Sequence, residues 1–237
     1  MRKAVVCLLS LLAFSACSGN DDSNIQGQDI SAGPPSYVPP GVDPEVGTGC
    51  HVEDVNHICI ALKYVVYKDP SGTPTVSADN AVKVVAAMNE VWQQCNISFQ
   101  IERYLEVDPA QYGLNYQTAN QSELTTIRQT FMDDHTMLLV TTGTWNRAGT
   151  LGNSAANAWT SLPYRGGGPF GAVLEKPVGR NGNLVAHELG HYLNLQHVGD
   201  ENDVMNAIIY SKSMNLYDSQ CASARSAAWY FWTRLLR

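Results

Sequence analysis

The eleven residues His187-Glu188-Leu189-Gly190-His191-Tyr192-Leu193-Asn194-Leu195-Gln196-His197 constrain this chain more than any other stretch. Leu184, Val185 and Leu189 lie before and within them, so the first half reads as helix. Positions i and i+4 share a helix face, which aims the imidazoles of His187 and His191 at one point. Glu188 sits one position further round and can reach that point without occupying it. His197 is too far along to share the face on a continuous helix, so the chain must turn near Asn194 to bring a third imidazole back. Asn is the non-glycine residue that best tolerates the left-handed backbone of such a turn. Three of the chain's six histidines fall in this run, a density that a solvated helix does not need. The arrangement is that of a metal site with three nitrogen ligands and one position left open.

The run resembles the metzincin signature H-E-x-x-H-x-x-G-x-x-H, with Asn194 where that family usually has Gly. Metzincins also carry a methionine in a tight turn after the third histidine. Met205, within Asp203-Val204-Met205-Asn206 and eight residues past His197, matches it. The resemblance implies an α+β fold, a metzincin-like zincin catalytic domain. Its parts would be a mixed twisted sheet with backing helices, an active-site helix, a Met-turn and a C-terminal helix. It also implies one catalytic Zn2+ on His187, His191 and His197, with Glu188 as general base and acid and Met205 flooring the site. Many members place a Tyr two residues after the Met; Ala207 stands there instead, and Tyr210 is out of register.

The activity so implied is zinc metalloendopeptidase, a hydrolase of peptide bonds in extracellular proteins. Two rivals bear weighing. Glu201 could replace His197 as third ligand, as in other zinc hydrolases, but it lies close by in a polar turn where those enzymes use a later helix. Alternatively the chain is a catalytically silent, lipid-anchored binding protein on a metal-stabilised peptidase fold. Glu188 argues against that, because a purely structural site needs no carboxylate beside its ligands.

The chain has 237 residues, 44% apolar and 16% charged, which fits one domain of ordinary core plus a tail. Its net charge of −7, without a basic cluster, excludes the footprint of a nucleic-acid binder. No internal repeat is visible, and a monomer acting on protein or peptide substrate is expected.

Residues 1–17 read as a targeting segment: Arg2 and Lys3, then an apolar stretch from Ala4 to Phe14 too short to span a bilayer. With Ser15-Ala16-Cys17 it resembles a bacterial lipoprotein signal, which implies cleavage before Cys17 and lipidation of its thiol. The expected location is the cell envelope, lipid-anchored, in the outer membrane and with a surface-exposed domain. Residues 18–49 hold five of the chain's eleven prolines and read as a tether or pro-segment. The peptidase domain is then 50–237.

Cys50, Cys59, Cys95 and Cys221 remain, and in an oxidising compartment they allow two disulfides in three pairings. Cys95 with Cys221 would tie the two halves of the domain together, and Cys50 with Cys59 would close a short loop at its entrance.

The body alternates strands and helices. Strands are expected at 58–67, 97–107 and 136–142. A helix from Ser77 as cap to Cys95 carries Ala81, Val84, Val85, Met88, Val91 and Trp92 at helical spacing. Asn120 and Glu123 form a capping box for a helix through Phe131. Residues 143–170 read as a long irregular loop bordering the cleft, and Gly171–Leu174 as an edge strand for an extended peptide. No Asp or Glu occurs from 136 to 174, so the structural calcium that some metzincins hold near this place is not expected there. A last helix spans Asp218–Leu236, with Trp229 and Trp232 read as core residues.

Overall fold

The computed structural model describes residues 56–154, 156–165 and 167–237. The segment 1–17 with Cys17, the tether 18–49, and Cys50 lie outside the described residues.

The frame is a five-stranded sheet in the order β2-β1-β3-β5-β4. Its strands are β1 (Ile58–Tyr67), β2 (Ile97–Val107), β3 (Met137–Thr141), β4 (Ala158–Thr160) and β5 (Ala172–Leu174). All neighbours are parallel except β4, which runs antiparallel to β5. The helices are α1 (Ala78–Trp92), α2 (Gln121–Phe131), the single turn α3 (Thr150–Asn153), α4 (Gly182–Tyr192) and α5 (Asp218–Phe231).

β1 is buried along its whole length and is apolar except at Lys63, whose ammonium pairs with Asp133 and donates to Phe131 O at 2.8 Å. Its period-two alternation still sorts the two faces. Ile58, Ile60, Leu62, Tyr64 and Val66 join a cluster with Val84, Val85, Met88 and Trp92 of α1, Val185 and Leu189 of α4, and Ala224 and Ala228 of α5. Val65 and Tyr67 join a second cluster, with Leu124, Ile127 and Phe131 of α2 and with Trp145 and Trp159. The sheet therefore has an apolar layer on each face, and the histidine helix α4 lies against the first.

Several boundaries differ from the sequence reading, each for a local reason. Ser77 occupies the first cap of α1, but its side chain makes no capping bond, and the helix gives way to a 3-10 turn at Gln93–Cys95. At α2, Asn120 Oδ1 accepts from Glu123 N at 2.9 Å as expected, while the Glu123 carboxylate accepts from Ala119 N rather than returning to Asn120. The stretch 143–170 is not wholly irregular: it contains α3 and β4. β5 is an inner strand and β4 is the edge, the reverse of the expected role for Gly171–Leu174. A three-residue strand gives too little alternation to be seen in sequence. The last helix stops at Phe231, with a 3-10 turn at Thr233–Leu235. Trp232 packs in the core as read, but Trp229 is 59% exposed.

Cys95 and Cys221 form a disulfide across a sequence separation of 126, joining the 3-10 turn after α1 to the first turn of α5. Cys59 is buried on β1; the Cys50 expected to pair with it is not among the described residues.

Candidate metal centre

Asn181 starts the histidine helix. Its side chain accepts from Asn183 N and Leu184 N at 3.0 and 3.2 Å, satisfying two donors that a helix start leaves open. From there α4 presents His187 and His191 one turn apart, both buried. The helix is braced against α1 by Trp92, whose indole N–H donates to Ala186 O at 3.3 Å.

The helix ends in a Schellman turn. Asn194 takes φ 67°, in the left-handed region, as the sequence suggested. Asn194 N donates to His191 O at 2.9 Å, and Leu195 N reaches back to Gly190 O at 2.8 Å. The reversal carries His197 to the face of the other two. The three Nε2 atoms lie 3.1, 3.1 and 3.3 Å apart. Among the described residues, this is the one gathering of three or more His, Cys, Asp or Glu side chains able to share an ion.

The far side of each buried ring is fixed. His187 Nδ1 donates to Val204 O at 2.7 Å, and His191 Nδ1 donates to Leu195 O at 2.8 Å. With the proton on Nδ1, each Nε2 carries a lone pair toward the cluster. Burial holds these imidazoles neutral: it pulls His187 down to about 4, opposed by its bond to Val204, and lowers His191 and His197 as well. Lone pairs packed this closely repel unless a cation lies between them. Tetrahedral zinc with nitrogens at about 2.0–2.1 Å sets its ligands about 3.3–3.4 Å apart, so the cluster fits that ion.

Met205 lies beneath, in the turn expected from its sequence position. It is fully buried, and a Cβ on Gly190 would meet its sulfur at 2.3 Å, so any side chain at 190 would displace Met205 from its place against the helix. Asp203 organises that turn: its Oδ1 accepts from Met205 N at 2.6 Å and from Gln220 Nε2 at 3.1 Å. Gln220 belongs to α5, so the C-terminal helix holds the Met-turn in place.

Glu188 is 2% exposed, and its Oε2 accepts from the Thr160 hydroxyl at 2.5 Å. Glu201, the rival third ligand, is exposed and paired with Lys212 at 2.7 Å, away from the cluster. Thr160, Gly190, Asp203 and the Val204 carbonyl were not singled out from sequence. Only Gly190 carried a signal, as the small residue inside the histidine run.

Fold and cluster together are consistent with a metzincin-type zinc peptidase. Residues 78–198, just over half of the chain, match the model described as Metallo-peptidase family M12B Reprolysin-like, and the chain belongs to that family. Among solved structures the chain is similar to metalloproteinase-II from Bacteroides fragilis, with 15% identity and a TM-score of 0.49 over 71% of this chain and 53% of that one. It is also similar to archaemetzincin from Methanopyrus kandleri, with 18% identity and a TM-score of 0.45 over 74% of this chain and 98% of that one. The chain thus spans about half the length of the metalloproteinase-II it matches. No curated protein sequence matches it significantly.

Proposed function

We propose that the chain is a zinc endopeptidase acting on extracellular proteins, held at the bacterial cell envelope by a lipid on Cys17. The observation that carries the reading is the buried carboxylate of Glu188, one residue from the first of three converging imidazoles. His187, His191 and His197 would hold the ion. Bound there, zinc would keep its double charge and would supply Lewis-acid activation of a water and of a carbonyl. Glu188 would take a proton from the attacking water and return it to the amine nitrogen as the peptide C–N bond breaks. The outermost strand, β4, offers an edge along which an extended peptide would pair its backbone, and Thr160 on that strand touches Glu188. The anchor rests on Arg2, Lys3, the apolar stretch to Phe14 and the small residues before Cys17.

The test incubates the chain from residue 18 onward with denatured proteins, beside its Glu188→Ala variant and a chelated sample, and maps cuts by mass spectrometry. Internal cuts absent from both controls are expected. A zinc-loaded chain that cuts nothing, before and after removal of residues 18–50, overturns the reading in favour of a metal-stabilised binding protein.

A further inference from the structure

We propose that Thr160 is a positioning residue for Glu188, its hydroxyl fixing the carboxylate in the orientation that proton transfer requires. This rests on the reading of Glu188 as the general base. Period-two alternation along β4 puts Ala158 and Thr160 on one face and Trp159 on the other. Ala158 joins the core layer that contains α4, while Trp159 joins the opposite layer. Thr160 therefore projects toward the histidine helix, and its Oγ1 donates to Glu188 Oε2 at 2.5 Å. Donor and acceptor are 1% and 2% exposed, so water does not compete for the contact. A hydroxyl donating to a carboxylate makes a charge-assisted hydrogen bond, stronger than one between neutral groups.

The two ends of the bond are held by different parts of the fold. Glu188 rides on α4. Thr160 is fixed in the sheet by its register opposite Ala172 of β5. The strand is clamped from its other face by Arg128 of α2, buried in the core, which donates to Trp159 O and Gly171 O at 2.9 Å each. Before β4, Asn157 O accepts from Glu175 N at 3.0 Å. A Glu side chain has three rotatable bonds, and a donor anchored in this way removes rotamers that would swing the carboxylate away. If Thr160 served only strand propensity, Val would replace it without loss, since Val has the same shape and equal preference for strands.

The test uses the full chain loaded with zinc, as wild type, Thr160→Val and Thr160→Ser. It measures kcat, KM, zinc stoichiometry and thermal midpoint, with the Thr160→Val change repeated in a Glu188→Ala background. Thr160→Val should lower kcat about 10–100-fold while KM moves less than about twofold and zinc stays at one per chain. Thr160→Ser, which restores the hydroxyl, should recover most of kcat. The change in midpoint caused by Thr160→Val should shrink or reverse once Glu188 is absent, a readout independent of turnover. Undiminished kcat in Thr160→Val beside an active wild type overturns the positioning role alone, as does a Ser variant no better than Val. A wild type without turnover overturns the reading of Glu188 and this proposal with it.

Discussion

The Nδ1 atom of His187 donates to the carbonyl oxygen of Val204 across 2.7 Å, tying the first imidazole of the metal helix to the residue just before Met205. The turn that carries Met205 thus sets which nitrogen of His187 faces the other two imidazoles. Val204 is itself held, since its N–H donates to Asn215 O at 2.9 Å and the next N–H, that of Met205, is bound by Asp203.

Asp203 should therefore give the molecule a measurable pH dependence. Burial raises its carboxyl pKa above the ordinary 3.8, opposed by bonds from Met205 N and Gln220. A raised acid contributes stability that is fully present below about 3.8 and is lost as pH rises through the folded value. Asp203→Asn carries no such proton. The difference in thermal midpoint, variant minus wild type, should grow in the variant's favour as pH rises from 4 to 6. Asp203→Ala, which removes the acceptor for Met205 N and Gln220, should cost about 1–3 kcal/mol in urea unfolding.

Asn194 should tolerate Gly and reject branched residues. Its φ of 67° is comfortable for Gly, so Asn194→Gly should change stability by less than about 1 kcal/mol. Asn194→Val should cost about 2 kcal/mol. It should also weaken zinc binding, because the same turn delivers His197 and the Leu195 carbonyl that holds His191. Zinc competition titrations and urea unfolding read both effects.

Zinc should stabilise the fold strongly. Chelation leaves three nitrogen lone pairs facing one another at 3.1–3.3 Å. At a thousandfold excess over Kd, a ligand of the native state alone adds about 4 kcal/mol. A chelator should lower the thermal midpoint of the wild type and do little to His191→Ala, which should purify with little zinc.

The Cys95–Cys221 bond should matter more than any single surface contact. It spans 126 residues, and in the chain-entropy account a cross-link of that span stabilises by about 5 kcal/mol. Replacing both cysteines with Ala should release α5, and with it the Gln220 contact to the Met-turn. Lower zinc affinity should accompany the fall in unfolding free energy, measured with and without zinc.

The histidine run, β1, β2 and the apolar faces of α1 and α2 were all legible in the residues. In each case the signal is local. Ligands at i and i+4 meet because a helix repeats every 3.6 residues, and a buried strand or helix face records its burial in consecutive side chains. Asn194 was legible for the same reason, since a left-handed turn selects among very few residue types. Trp229 shows where residue type fails as a signal: it was read as core because it is aromatic, yet it is exposed, while Trp232, which lies on the apolar stripe read for the last helix, is buried.

What the tertiary structure alone decided is everything that joins segments distant in sequence. β4 is three residues long, too short to announce itself, yet it forms the edge of the sheet and brings Thr160 to Glu188 from 28 positions away. Val204 meets His187 across 17 positions, and Gln220 meets Asp203 across 17 more. Such contacts leave no periodicity in the chain. Their partners are backbone carbonyls or single polar side chains, and they acquire meaning only when the sheet order and the turns have set them face to face. The sequence by itself determined which atoms could hold and serve a zinc ion. The packing of α4 between the Met-turn and β4 determined which ring nitrogens converge and which hydroxyl the Glu188 carboxylate meets.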